Sequence, residues 1–264
     1  MPELAEVEWY RKQWNPGIGD KVLAVELHGE KRVFRGSDTA AMARALTGSK
    51  LTASSARGKR MLFRFSSDAW LGVHLGMTGS LRCEAPEFQA DKHDHLVLRQ
   101  RARSLVFRDA RQFGRVRFAQ GKESPAWWDL ETPEISEPAF NGEFVDEFLK
   151  RHGQAPIKAV LLMQNGFSGI GNWMADEILW RAKIRPSRCA GRLTRAGRHA
   201  LLKETKFVAT YSLRTLGIDY TDPPKTWLIH ERWNEQGVCP IHHIKLRRAT
   251  IGGRTAAWCA KCQK

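Results

Sequence analysis

CPIHHIKLRRATIGGRTAAWCAKC, residues 239–262, is the stretch on which the fold turns. It carries two ligand pairs, Cys239-Pro-Ile-His242 and Cys259-Ala-Lys-Cys262, each with a two-residue spacer, and sixteen residues lie between them. Such a spacer lets both members of a pair reach one tetrahedral ion, with sulfur at about 2.3 Å and imidazole nitrogen at about 2.0–2.1 Å from zinc. Four protein ligands leave no open coordination position. The reading is therefore one structural Zn2+ in a zinc-ribbon hairpin, not a catalytic metal. His243 stands beside His242 and could replace it, although its three-residue spacing suits the ion less well. Ile251-Gly-Gly-Arg254 marks the hairpin tip, and an arginine there is a candidate phosphate contact. Residues 234–264 have too little apolar content for a core of their own, so metal ligation has to supply the folding energy.

Upstream, residues 142–233 change to helical periodicity. Two segments, Ile157 to Gln164 and Trp173 to Ala182, are joined by Asn165-Gly-Phe-Ser-Gly-Ile-Gly-Asn172. Asn172 suits the N-cap of the second helix, and the glycines allow backbone amides to approach an anion closely. Lys158 would add a point charge to the same phosphate. Residues 126–141, rich in proline and acids, read as a linker. Residues 1–125 form an N-terminal domain. It opens with a helix from Glu3 to about Trp14, with Glu3 and Glu6 in the first turn. From Lys21 to Gln120 short apolar or alternating runs follow, among them Val22–Leu27, Met61–Phe65, Trp70–Leu75, His95–Leu98, Ser104–Phe107 and Arg115–Phe118. Their number and spacing predict a β-sandwich or barrel. The fold class is thus α+β.

The chain has 264 residues and carries 43 Lys and Arg against 28 Asp and Glu, a formal charge of +15. That surplus favours a polyanionic partner, because each neutralised phosphate releases a counterion. The longest aliphatic run, Ala159 to Met163, falls far short of the roughly 20 residues that span a bilayer. The N-terminus lacks the layout of a signal peptide. Of the five cysteines, Cys83 and Cys189 are isolated and three cluster near the end, which argues against a secreted disulfide scaffold. A soluble, cytoplasmic, nucleoid-associated protein without membrane contact is expected.

Together with Met1-Pro-Glu-Leu-Ala-Glu-Val-Glu, these residues resemble the formamidopyrimidine-DNA glycosylase / endonuclease VIII family. The resemblance runs along nearly the whole chain, through Arg57-Gly-Lys59, His74-Leu-Gly-Met77-Thr-Gly and Lys92-His93-Asp-His95. It continues through Asp109-Ala-Arg111-Gln-Phe113-Gly, Ile157-Lys158, Gly171-Asn172, Ala175-Asp-Glu177 and Gly253-Arg254-Thr. It implies an N-terminal β-sandwich carrying a catalytic helix, a helix–two-turn–helix domain and the zinc hairpin. It further implies a monomeric bifunctional glycosylase and lyase of base excision repair, acting on double-stranded DNA with damaged bases or abasic sites.

By the same resemblance Pro2, freed of Met1, is the nucleophile, Glu3 the general acid, and Lys59 and Arg254 assist elimination. Glu6 approaches the damaged base. Met77, Arg111 and Phe113 fill the void left by the flipped nucleotide, while His93, Lys158 and Asn172 contact DNA; His74 is read as structural. The implied substrates are oxidised purines: formamidopyrimidines, hydantoins and 8-oxoguanine. An endonuclease VIII-like preference for oxidised pyrimidines, or a non-catalytic zinc DNA-binding protein, is the alternative.

The chain departs from the family pattern in several places. Ala5 and Ala110 stand where proline is usual, and His152-Gly-Gln154 holds no basic phosphate contact before Ile157. Asp222-Pro-Pro-Lys-Thr-Trp227-Leu-Ile-His230 replaces the Gly- and Ser-rich loop expected across 211–235. The last departure leads to the expectation that 8-oxoguanine is the weaker substrate.

Overall fold

The computed structural model describes residues 1–129 and 132–264. Two positions of the expected linker, Leu130 and Glu131, lie outside the described residues. Contacts divide the chain into two units. One holds Met1–Pro2 and the described chain from Glu6 to residue 129; the other holds Glu3–Ala5 and the chain from Thr132 onward.

Helix α1 (Leu4–Lys12) is followed in the first unit by β1 (Val22–Leu27), α2 (Thr39–Leu46), β2 (Leu51–Arg57), β3 (Arg60–Phe65) and β4 (Ala69–His74). Strands β5 (Ser80–Glu84), β6 (Asp94–Gln100), β7 (Ser104–Arg108) and β8 (Arg115–Gln120) complete it. They form two antiparallel four-stranded sheets, ordered β1-β6-β7-β5 and β2-β3-β4-β8. Side chains alternate across each strand. Met61, Phe63 and Val73 of one sheet meet Leu81, Leu98 and Phe107 of the other in a single core, which makes this a β-sandwich. Trp14 is fully buried there and donates its indole N–H to the Val106 carbonyl at 3.3 Å. Burying a side chain of this size stabilises by about 1.5–3 kcal/mol.

The sandwich follows from the apolar runs, but three of its elements had no such run. Strand β2 buries only Leu51 fully and otherwise carries Thr, Ser, Ala and Arg, as suits an edge. Strand β5 is similarly polar. Helix α2 starts on Asp38, whose carboxylate accepts the Ala41 N–H at 2.8 Å.

The second unit contains α3 (Gly142–Arg151), α4 (Ile157–Leu161), α5 (Asn172–Arg181), α6 (Arg195–Arg214), α7 (Leu216–Asp219) and α8 (Ile229–Arg232). The hairpin strands β9 (Arg247–Ile251) and β10 (Arg254–Trp258) follow. Every residue of α5 from Trp173 to Trp180 is buried, so this helix is the centre of the unit. Its apolar faces pack on Phe148, Phe167, Val160 and Leu201. The segment 211–235 is not a Gly- and Ser-rich loop: Trp227 is buried, 5.0 Å from the Tyr211 ring, with the Arg181 guanidinium 4.4 Å from its centroid.

Candidate active site and nucleic-acid interface

Glu3 is buried at the start of α5. Its carboxylate accepts the N–H groups of Gly171 at 3.0 Å, Trp173 at 2.9 Å and Met174 at 3.1 Å. These are the amides that a helix start leaves without intrahelical partners, at the positive end of the helix dipole. A Cβ on residue 171 would collide with the carboxylate, so the close approach requires glycine. The Leu4 N–H donates to the Gly169 carbonyl at 3.0 Å and fixes the following residue as well. Two expectations are corrected here. The N-cap of α5 is Gly171, not Asn172, which is the first helical residue. The anion on these amides is Glu3 itself, not an external phosphate.

Lys158 is a third correction. It is fully buried, and its ammonium donates to the Asn172 carbonyl at 2.6 Å and to Asp176 Oδ1 at 2.6 Å. Burial pulls it below the usual lysine range, against the opposing pull of Asp176. It organises the turn from inside and is not presented to a phosphate. Asn172 is half-buried, with its Oδ1 enclosed and without a hydrogen-bond partner.

Asp176 is a hub that the sequence reading did not assign. Besides Lys158 it accepts Arg232 Nε at 3.0 Å, Arg232 Nη2 at 2.7 Å and the Ala257 N–H at 3.2 Å. Arg232 also donates to the Thr255 carbonyl at 3.3 Å. The network ties α5 to β10, whose first residue is Arg254. Arg254 is exposed at the hairpin tip. The available signal was a pair of acids, Asp176 and Glu177, inside an otherwise apolar helix.

The ligand atoms of Cys239, His242, Cys259 and Cys262 lie within 4.8 Å of one another. His242 Nδ1 stands 3.7 Å from Cys239 Sγ and 3.5 Å from Cys259 Sγ. A tetrahedral zinc with ordinary bond lengths sets such edges at about 3.5–3.8 Å, so the residues fit the ion. The cluster takes His242. His243 sits at φ 54°, exposed, with its N–H on the Cys239 carbonyl.

In the sandwich unit, Lys59 follows Gly58 (φ 57°) in the β2–β3 turn and is nearly buried. Pro2 and Glu6 are half-buried. Loops 75–79 and 109–114 carry Met77, Arg111 and Phe113, and Asp109 holds the two loops together. Its carboxylate accepts Thr78 Oγ1 at 2.9 Å, the Arg111 N–H at 3.3 Å and the Gly114 N–H at 2.7 Å. A Cβ on Gly76 (φ 63°) would collide with the Phe113 backbone. Phe113 is exposed with the Arg111 guanidinium 4.7 Å from its ring centroid. A flat, cationic pair thus projects from a rigid base. His95 is buried with a ring nitrogen 2.9 Å from the Asp109 carbonyl, and His93 remains half-buried nearby in sequence.

Sequence profiles described as the formamidopyrimidine-DNA glycosylase N-terminal domain and its H2TH domain match residues 1–116 and 132–221. Proteins named formamidopyrimidine-DNA glycosylase from Carboxydothermus hydrogenoformans and Teredinibacter turnerae are 32% and 33% identical, each alignment covering all of both chains. The chain belongs to the formamidopyrimidine-DNA glycosylase family. A crystal structure of the Lactococcus lactis enzyme of this family, in complex with DNA containing an oxidised pyrimidine, superposes with TM-score 0.88. Its identity is 26%, with both chains covered completely. Among the described residues no helix is long and apolar enough to cross a membrane.

Proposed function

We propose that this family member excises oxidised bases from duplex DNA and then cuts the strand, with Pro2 as nucleophile once Met1 is removed. The observation that carries the reading is the Glu3 carboxylate seated on the α5 amides, which fixes a carboxyl group at the residue next to Pro2. A free α-amine titrates near about 7.7–8.0, so an appreciable fraction is unprotonated at neutral pH. Its lone pair attacks C1′, the glycosidic C–N bond breaks, and the base leaves with a proton. The amine gives up its own proton, the C1′–O4′ bond opens with a proton delivered to O4′, and the resulting iminium acidifies C2′. Loss of a C2′ proton expels the 3′ phosphate, and a further elimination expels the 5′ phosphate.

Glu3, a carboxylate on the α5 amides, takes up the proton that the attacking amine loses and passes it to the sugar ring oxygen. Lys59 and Arg254 hold the phosphates that depart. Glu6 meets the damaged base. Met77, Arg111 and Phe113 occupy the vacated stack, the base having left the duplex first; His93 and Asn172 contact the backbone. Cys239, His242, Cys259 and Cys262 would hold one structural Zn2+, which would supply folding energy to the hairpin and leave no open position for chemistry.

Formamidopyrimidines and hydantoins rank ahead of 8-oxoguanine in this reading. The Trp227 segment supports that ranking, because a buried tryptophan stacked on Arg181 stands where a Gly- and Ser-rich chain would close over the base. The test is borohydride trapping across lesion-bearing duplexes. A covalent adduct on formamidopyrimidine DNA, abolished by Pro2→Gly and slowed about 10²-fold or more by Glu3→Gln, is expected. Absence of any adduct leaves a non-catalytic DNA-binding protein. Faster trapping on oxidised pyrimidines than on any purine lesion assigns the endonuclease VIII-like preference.

A further inference from the structure

Met61, Phe63, Val73 and Val116 turn one face of the sheet β2-β3-β4-β8 to the core, and the alternating residues face outward. On that outer face lies a cavity of about 160 Å³ bounded by Arg60, Gly72, His74, Arg115, Arg117 and Trp127. The register accounts for it. Gly72 pairs with Arg117 and His74 with Arg115. The missing side chain of Gly72 admits the Trp127 indole, with which a Cβ there would collide. Arg60 locks the wall by donating to the carbonyls of Trp127 at 2.6 Å and Trp128 at 3.2 Å. The Arg117 guanidinium stands 5.5 Å from the Trp127 ring centroid.

Arg60 spends its donors on the wall carbonyls, but other donors around the cavity lack an acceptor. His74 Nδ1 accepts the Gly76 N–H at 3.0 Å, which places the ring proton of the neutral imidazole on Nε2. The Arg115 guanidinium already gives Nη2 to the Arg35 carbonyl at 3.4 Å, and its Nε is enclosed without a partner. No carboxylate is among the described residues that line the space. The cations also repel one another. Burial and then Arg117 lower the Arg60 pKa, and burial and then Arg115 lower that of Arg117. An anion is the occupant that relieves both the unmet donors and the repulsion. The Trp127 wall adds a flat apolar surface. The volume lies below the roughly 300 Å³ at which drug-sized ligand pockets begin, so a single ring or sugar fits beside the anion and a larger body does not.

We propose that this cavity is a nucleotide subsite, taking a phosphate on Arg115 and Arg117 and the attached sugar or base against Trp127. A free mononucleotide and the terminal nucleotide of a DNA strand share this chemistry. None of the three residues has a part in the base excision proposed above.

Calorimetric titration of the full-length protein tests it with deoxyadenosine 5′-monophosphate, inorganic phosphate, deoxyadenosine and a short 5′-phosphorylated single strand. The mononucleotide should bind at least about tenfold more tightly than phosphate or nucleoside alone, as two subsites acting together require. Arg115→Gln/Arg117→Gln should weaken it by about tenfold or more. Trp127→Ala should remove the advantage over phosphate while leaving phosphate binding in place. A single strand that outcompetes the mononucleotide assigns the subsite to strand ends, and the reverse assigns it to free nucleotide. Equal affinities for phosphate and mononucleotide, no binding, or full affinity in the double variant overturns the proposal. Borohydride trapping is scored separately, so failure of the enzyme reading would leave the nucleotide result standing.

Discussion

Asp109 shows how one buried carboxylate governs residues that carry no charge relation to it. Three donors converge on its two oxygens: the Thr78 hydroxyl and the amides of Arg111 and Gly114. Asparagine has the same shape but only one oxygen, so at least one of those donors would face an amide NH2. A buried donor left unmet costs about 1–3 kcal/mol. Asp109→Asn should therefore lower the thermal midpoint and loosen the register between loops 75–79 and 109–114. The wedge proposed for Met77, Arg111 and Phe113 would lose its fixed base. Single-turnover kinetics at saturating lesion duplex should show slower base release, with much less effect on an abasic-site duplex, where no base has to be extruded. Equal slowing on both substrates would mean that Asp109 serves stability alone. Lys158 offers a contrast. Its place in the motif was legible, yet its burial was not, because the partner that buries it, Asp176, lies eighteen positions along the chain.

At the scale of elements, α5 concentrates what a single helix rarely holds: buried acids, a carboxylate from another segment on its first amides, and a network to the hairpin. Glu177 belongs to it. Burial, opposed by Arg181, raises its pKa from the ordinary carboxylate range to about 7. The folded state then binds a proton that the unfolded chain releases near about 4.3. Stability from this group is fully present below that unfolded value and is lost as pH rises through about 7. Thermal midpoints of the wild type should fall over this window relative to Glu177→Gln, which has no proton to lose. Parallel profiles for the two proteins would refute the shift. The elements read from the sequence were those with a one-residue or ligand-pair signal: the strands with apolar runs, the helix start near Asn172, and the four metal ligands. Strand β2 escaped because an edge strand needs few apolar residues, and α2 because only the Asp38 cap announces it. The zinc pairs needed no tertiary knowledge, since spacing alone sets ligand reach. The Glu3 contact could not be read at all. It joins positions 3 and 171, and nothing local in either segment specifies the other.

For the molecule as a whole, the surplus of fifteen positive charges acts on association more than on chemistry. Cations paired with acids are already netted out of that surplus. Arg99 is paired with Glu26, Arg108 with Asp91 and Asp94, and Arg232 with Asp176. Binding to undamaged duplex rests on the remainder, and each phosphate they neutralise releases counterions. If six to ten phosphates are engaged, affinity should fall by about 10³–10⁵ between about 50 and 200 mM salt. The trapping rate at saturating lesion duplex should respond differently. The groups proposed for it, Pro2 and Glu3, are held by the chain itself, and Glu3 is held by buried hydrogen bonds that salt screens little. Titrating salt in both assays separates the two contributions: a steep loss of affinity is expected beside a nearly flat single-turnover rate. A rate that falls in step with affinity, even with every protein molecule bound, would show that screened surface charges position the reacting groups. It would then contradict the assignment of that task to the α5 amides.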